Sequence, residues 1–357
     1  MPEAQPVRVG VIGCGTAAVP VCAALAASPL TELAVVQDLN QPLARELAEH
    51  YQVPQAETVE QVLEDPGVEA VYIAVPHHWL ASLAGQALLA GRHVLLEKPM
   101  AIRLADADAL IALAEARHRI LDVFYEMRHS ALYTQARALV QAGGLGEIIG
   151  VRLQTLIDKP LAYWQVGYAG RSHNPWRGRR DQAGGGVVLM NSSHALDALR
   201  YLTGLDVVSV SAEVGTLVAG VEVEDTAVAT LRFSNGALGS LTAGAHIAGA
   251  HHAERFDLYG TRGQLQLPDP YGAEPLRVYL REPWEGLAAA QWHTLPSTPA
   301  PVYIRAVEAF ARTVRHGPPA AAGARDARQT LATVLAIYQS AAAHHTIPVS
   351  KQEATYA

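Results

Sequence analysis

Apolar positions in the first 125 residues fall into short unbroken runs, separated by longer stretches with helical spacing. The runs Val7–Ile12, Glu32–Gln37, Ala70–Val75, His93–Leu96 and Ile120–Tyr125 predict strands. Between them Ala18–Ala27, Pro42–Tyr51, Leu80–Ala90 and Arg103–Arg119 predict helices, with a short helical turn at Val59–Leu63. Strands that are apolar nearly throughout are buried on both faces, as in a parallel sheet covered by helices. Their alternation with helices predicts a doubly wound α/β fold with right-handed crossovers.

After about residue 130 the rhythm changes. A helix, Tyr133–Ala142, runs into Gly143-Gly144, and longer strand patterns follow at Ile148–Ile157, Val207–Leu217, Thr226–Phe233, Leu238–Ala245, Arg255–Tyr259 and Leu276–Leu280. Asn235-Gly236 between two of these runs predicts a hairpin with a type I′ turn. Helices are predicted at Asn191–Leu202, Tyr303–Arg315 and Asp326–His345. The second half therefore reads as an α/β domain with a large, mostly antiparallel open sheet, whose outer face its own helices are too few to cover. A division into residues 1–125 and 126–357 is expected.

The length of 357 residues fits two domains. Half of the residues are apolar and 17% are charged, which is globular composition. The net charge is −7 and no run of Lys or Arg forms a nucleic-acid footprint. The basic residues are 24 Arg against three Lys, which reads as a compositional habit of the source. Cys14 and Cys22 are the only cysteines and give neither a disulfide framework nor a zinc site, so a reducing cytoplasm is expected. The first strand begins by Val7, leaving no room for a signal peptide. The uncharged stretch Ala17–Thr31 contains Pro20 and Pro29 and is too short to span a bilayer. A soluble protein with no membrane or nucleic-acid partner is the expectation.

The first strand runs into Gly13-Cys14-Gly15-Thr16-Ala17-Ala18. In such a turn the first glycine permits the tight bend and the second lets backbone approach a pyrophosphate, which then lies on the helix N-terminus. Ala18 is a small residue at the third position. Asp38 closes the second strand, 23 residues after Gly15. A carboxylate there accepts the adenosine-ribose hydroxyls and repels a 2′-phosphate. The following residues, Leu39-Asn40-Gln41, offer no arginine, so NAD is favoured over NADP, with NADP admitted.

Ligands bind beyond the carboxyl ends of parallel strands. Val75-Pro76-His77-His78-Trp79 closes one such strand and is expected beside the nicotinamide. Adjacent histidines point apart, and no second cluster has ligand spacing, so no metal is expected. Glu97-Lys98-Pro99 closes the next strand. A lysine near a substrate hydroxyl can donate or accept a proton when burial or a neighbouring cation lowers its pKa. Tyr163, Trp164, Arg171, His173, Trp176 and Arg177 lie in a predicted loop of about 25 residues, and long loops are often functional. Aromatic faces suit sugar rings and arginines suit carboxylates or phosphates. Packing on a neighbouring subunit is the alternative for this loop.

Taken with Val9–Gly15, Asp38, Ala70–Pro76, Ala90–Pro99, Gly184-Gly185-Gly186, His194, Asp197 and the stretch Tyr303–Val349, the chain resembles the glucose-fructose oxidoreductase/inositol dehydrogenase (Gfo/Idh/MocA) family over nearly its whole length. The resemblance implies an N-terminal NAD(P)-binding Rossmann domain and a second domain for substrate binding and oligomerisation. It implies hydride transfer between nicotinamide and a sugar, polyol or sugar derivative. Lys98 and His194 become the catalytic candidates. Gly13, Gly15, Thr16, Ala17, Asp38, Val75, Pro76, His77, Glu97 and Lys98 become cofactor-binding candidates. Tyr163, Arg171, Trp176 and Asn191 become pocket candidates. The family commonly has an aspartate four residues before the histidine. Here that position is Met190, and the neighbouring Asn191 cannot take a proton, which leaves Lys98 and His194 as the pair. The three glycines allow backbone to approach a ligand closely. The resemblance also admits NAD-dependent glycoside hydrolases and a non-enzymatic NAD-sensing regulator. It implies homodimers or homotetramers built on the second-half sheet.

Overall fold

Val7–Ile12 (β1) carries one charged residue, Arg8. The structure is a computed structural model describing residues 5–171, 174–250, 253–271, 274–296, 301–317 and 323–350, and it buries every other residue of β1 within a parallel sheet. The sheet continues with Thr31–Gln37 (β2), Gln55–Ala56 (β3), Ala70–Ile73 (β4), His93–Leu96 (β5) and Leu121–Val123 (β6), in the order β3-β2-β1-β4-β5-β6. All five pairings are parallel. The chain winds outward from β1 to β3, then starts again on the other side with β4. That reversal is the switch point at which open α/β sheets bind ligands.

The helices are α1 (Ala18–Ala27), α2 (Gln41–Tyr51), α3 (Val59–Glu64), α4 (His77–Leu89), α5 (Leu104–Ala116), α6 (Ala131–Gln141), α7 (Tyr163–Val166), α8 (Arg180–Ala183), α9 (Ser193–Thr203), α10 (Val302–His316) and α11 (Ala324–Ala343). In α1, Ala18, Val21, Cys22 and Leu25 recur at helical spacing and, with Ala24, are the residues it buries. They pack with Val7, Val9 and Val11 of β1. Thr58 accepts a hydrogen bond from the Gln61 N–H and caps α3.

The chain divides into two compact units. One comprises Met1–Glu126, Ala162–Gly184 and Pro301–Arg328, and the other Met127–Leu161, Gly185–Ala300 and Gln329–Ala357. The late return to the first unit has a packing reason. Ala306, Val307, Phe310 and Ala311 of α10 belong to the same apolar cluster as β1 and α1. At the end of α10, Arg315 forks onto Glu69 with bonds of 2.6 and 2.8 Å.

In the second unit Ile148–Leu156 (β7), Val207–Gly215 (β8), Thr226–Phe233 (β9), Leu238–Gly244 (β10), Ala253–Gly260 (β11), Gly263–Leu267 (β12), Leu276–Leu280 (β13), Trp292–Leu295 (β14) and Ile347–Pro348 (β15) form one sheet in the order β14-β13-β12-β11-β7-β10-β9-β8-β15. Only β7 and β10 pair in parallel. Along β9, Ala227, Ala229, Leu231 and Phe233 are buried while Val228, Thr230 and Arg232 face out. The β9–β10 hairpin forms, but its turn differs from the type I′ expectation. Gly236 alone has a left-handed φ, of 90°, and Phe233 N–H bonds the Ala237 carbonyl around a three-residue loop. A right-handed turn followed by one left-handed glycine closes a three-residue hairpin, so Asn235 need not leave the common backbone region.

Candidate functional site

At the end of β1, Gly13 has φ of 94°, and a methyl group there would overlap the Ala74 carbonyl. Only glycine fits on either count. Gly15 differs: a methyl at its Cα would meet no atom within 4 Å. The backbone there faces open space, which is what a pyrophosphate needs for close approach. Thr16 is half-buried and Ala17 exposed, and Ala17 gives α1 no side-chain cap. Asp38 fixes the turn through both oxygens, accepting the Cys14 N–H and the Asn40 N–H, each at 2.7 Å. Its remaining lone pairs suit hydroxyl donors. These residues fit a dinucleotide.

Strand β4 ends at Ile73, so Val75 and Pro76 form the link to α4, and His77 is the first residue of that helix. His77 Nδ1 lies 2.7 Å from the Ala183 carbonyl, which only accepts, so Nδ1 carries the proton. The ring meets Trp176 edge-on at 4.6 Å. Burial, then the charge of Lys98, push the His77 pKa down to about 3, so it is a neutral imidazole. Just past β5 the Glu97 carboxylate accepts from Tyr72 Oη of the neighbouring strand at 2.6 Å and from the Lys98 backbone N–H at 3.1 Å. Burial raises the Glu97 pKa, with Lys98 opposing. Glu97 thus holds the turn that presents Lys98, which is half-buried and followed by a cis peptide to Pro99.

The predicted loop before the glycines carries α7, a 3₁₀ turn at Trp176–Gly178, and α8. Tyr163 and Trp176 are buried, and the Arg177 guanidinium lies over both rings, at 5.4 and 4.6 Å. Arg171 reaches the dinucleotide turn of the same unit. It donates to the Cys14 carbonyl at 3.2 Å and to the Glu46 carboxylate at 2.9 and 3.0 Å. His173 lies outside the described residues.

The glycines before His194 have packing partners within the second unit. A methyl at Gly185 would overlap the Tyr338 hydroxyl, and one at Gly186 the Glu224 carbonyl. The close approach expected toward a ligand is an approach to the protein itself. The Glu224 carboxylate accepts the Gly186 and Val188 N–H groups at 2.8 and 3.0 Å, and Tyr338 Oη at 2.9 Å. Burial raises its pKa against those bonds. The predicted helix from Asn191 begins earlier, as a π-helical turn at Val188–Ser192 that leads into α9. Such turns insert one residue and recur at functional sites. Met190 is 4% exposed and faces the core, while Asn191 is half-buried, as is His194 in the first turn of α9. Lys159, just past β7, donates through Nζ to Asn191 Oδ1 at 2.6 Å. Asp197 forms a buried two-pronged ion pair with Arg128, both bonds 2.6 Å. That geometry makes it a packing anchor of α9.

Lys159, Glu224, Tyr338 and Arg128 were not singled out by the sequence reading. Lys159 alone had a local signal: Asp158-Lys159-Pro160 repeats the acid–Lys–Pro order of Glu97-Lys98-Pro99. Among the described residues no group of three or more His, Cys, Asp or Glu could hold a metal ion. No helix among them is long and apolar enough to cross a membrane.

Residues 7–125 match the oxidoreductase family with an NAD-binding Rossmann fold, and residues 133–266 the GFO/IDH/MocA C-terminal domain. The 1,5-anhydro-D-fructose reductase of Ensifer adhaerens is 30% identical over 291 residues, covering 80% of this chain and 81% of that one. The myo-inositol 2-dehydrogenase of Thermotoga maritima is 24% identical over 332 residues, 91% of this chain and 93% of that one. A levoglucosan dehydrogenase solved with NADH and levoglucosan superposes with a TM-score of 0.87 at 24% identity, covering 97% of this chain and all of that one.

Proposed function

The chain belongs to the Gfo/Idh/MocA family of NAD-binding oxidoreductases, and from that premise we propose that it moves a hydride between NAD(H), with NADP(H) admitted, and a sugar, an inositol-like polyol or a sugar derivative. Lys98 carries the reading. It is a lysine in a chain that has three, set at the end of β5 and held there by Glu97 and Tyr72. The same unit holds the open Gly15 turn and Asp38. The relatives act on an anhydro sugar, an inositol and levoglucosan by their names, which supports the substrate class. A reductase and two dehydrogenases do not favour the glycoside-cleaving alternative.

Gly13, Gly15, Thr16 and Ala17 hold the pyrophosphate, Asp38 holds the adenosine ribose, and Val75, Pro76, His77, Glu97 and Lys98 line the nicotinamide end. When bound, the nicotinamide supplies or takes up the hydride. Lys98 Nζ gives or takes the hydroxyl proton. Neutral His77, with Nδ1 committed to Ala183, keeps a lone pair on Nε2 and adds no second positive charge beside Lys98. His194 assists, a role that rests on the resemblance. Tyr163, Arg171, Trp176 and Asn191 are assigned to the substrate. Residues 1–125 serve the nucleotide, and residues 126–357 serve substrate and self-association.

The decisive experiment follows NAD reduction over a panel of sugars and cyclitols. Net NADH production is expected, and glycoside cleavage without it would overturn the reading. A homodimer or homotetramer through the second-unit sheet, in the cytoplasm, completes the proposal. Light scattering that gave the 38.0 kDa of one chain at micromolar concentration would refute self-association.

A further inference from the structure

Two of the three lysines close a strand with the same acid–Lys–Pro order, and only Lys98 has a part in the reading above. Lys159 is 2% exposed. Its backbone is fixed on both sides: the N–H donates to the Ala245 carbonyl at 2.8 Å, and the carbonyl lies 2.8 Å from His246 Nδ1. Its Nζ donates a short bond, of 2.6 Å, to Asn191 Oδ1. A buried lysine directed at an amide on a π-helical turn invites a functional account.

An ammonium has donors and no acceptor. It therefore decides which end of the Asn191 amide faces it: the oxygen turns toward Lys159, and the NH₂ group turns away. Met190 is buried in the core, so Asn191 is the polar side chain that the turn leaves partly open, three residues before His194. That side chain offers two N–H donors, with a cation directly behind it. Such a surface suits an oxygen that only accepts, and a carboxylate best of all, because donor and charge act together.

We propose that Lys159 is a positioning residue that locks Asn191 as a hydrogen-bond donor, and that the pair selects a sugar acid over the corresponding neutral sugar. The placement of Asn191 at the substrate rests on the oxidoreductase reading. Matched pairs isolate the effect: D-glucuronate with D-glucose, and the galacto and manno equivalents, which differ only in carboxylate against hydroxymethyl. Each is titrated calorimetrically into the NADH complex. In at least one pair the acid binds at least tenfold more tightly. Asn191→Asp keeps the shape and an acceptor for Lys159 but loses the donors and adds negative charge, so the preference disappears. Lys159→Met lets the amide rotate and cuts the preference severalfold, while NADH binding reports that the protein is folded. Lys159→Gln, whose amide can again donate to Oδ1, restores part of it, which a merely structural lysine would not predict. Wild-type protein that binds no acid better than its sugar overturns the proposal. So does a preference that survives Asn191→Asp, or a Lys159→Met protein that behaves as wild type. Failure to reduce NAD with any sugar would count against the oxidoreductase reading, and the binding ratio would still judge this one.

Discussion

Two glycine-rich turns, each leading into a helix, occupy this chain, and they are glycine-rich for opposite reasons. At Gly13–Ala18 the first glycine is forced by a left-handed φ and by the Ala74 carbonyl, but Gly15 has nothing within 4 Å of where a side chain would begin. At Gly185-Gly186 the space is already filled, by the Tyr338 hydroxyl and the Glu224 backbone. One turn leaves open space at its second glycine. The other is closed by protein, and its helix start is satisfied by a carboxylate from far along the sequence. A glycine run before a helix therefore does not itself announce a ligand; what a methyl group would meet decides it.

The sharpest test separates chemistry from scaffold. Lys98→Met keeps length and apolar stem and removes the amine. Turnover should fall roughly 10²- to 10⁴-fold, the usual worth of general acid–base help, while NADH affinity changes little because the turn at Gly13–Ala18 is untouched. Retention of more than about a tenth of wild-type turnover would remove Lys98 from proton transfer. Lost NADH binding would make it a cofactor anchor.

A second pair of variants sets the two turns directly against each other. Gly186→Ala drives a methyl into backbone that cannot swing aside, and should cost about 1–3 kcal/mol of stability or more. Gly15→Ala meets nothing, so the melting temperature should hold within roughly 0.5 kcal/mol equivalent. NADH affinity should nevertheless drop at least about tenfold, since the methyl occupies the approach path. Equal destabilisation by both substitutions would erase the distinction.

How much of this was legible followed the range of the cause. The strand β1, the helix α1 and the turn between them are local patterns, and Ala18–Ala27 was placed to the residue. The start of α4 was placed three residues late, at Leu80, because Pro76-His77-His78 carries no apolar periodicity, and this hid that His77 is helical. The reason for Gly185 and Gly186 could not be read locally, since Glu224 and Tyr338 lie 38 and 149 residues from the groups they bind. The π-helical turn is five residues long, too short for any periodicity to register. Lys159 had its signal in plain view, yet a lysine after a strand reads as a solvated charge unless burial is known.

Cofactor choice tests whether Asp38 does more than brace its turn. It binds two backbone N–H groups, so Asp38→Ser with Leu39→Arg should loosen the turn slightly while removing the charge that repels a 2′-phosphate. Preference should move from NADH toward NADPH by at least about tenfold, or ~1.4 kcal/mol. A wild-type protein already preferring NADPH tenfold would contradict the assignment.

The smallest expected effect is a difference in sign. In the unit that carries the first turn, burial lowers the pKa of His77 to about 3 and of His93, at the other end of the parallel sheet, to about 4, against the usual 6.5. Between these values the unfolded chain binds protons that the folded chain refuses. Their contribution is therefore full above pH ~6.5 and is lost as pH falls. At the second turn, burial raises the pKa of Glu224 above the carboxylate norm. There the folded chain binds the extra proton, so that contribution is full below about pH 4.3 and is lost as pH rises through the folded value. His77→Phe keeps a ring against Trp176 but drops the titration and the bond to Ala183. Overall stability should fall, yet its decline between about pH 6.5 and pH 4.5 should become shallower by up to about one proton, ~1.4 kcal/mol per pH unit, with His93 supplying the remainder. Glu224→Gln removes the opposing term, so above the ordinary carboxylate pKa the acid-side decline should become steeper. Urea melts at several pH values across that window give both slopes. If the two variants move the slope in the same direction, the two turns do not differ in the electrostatic sense that their burial implies.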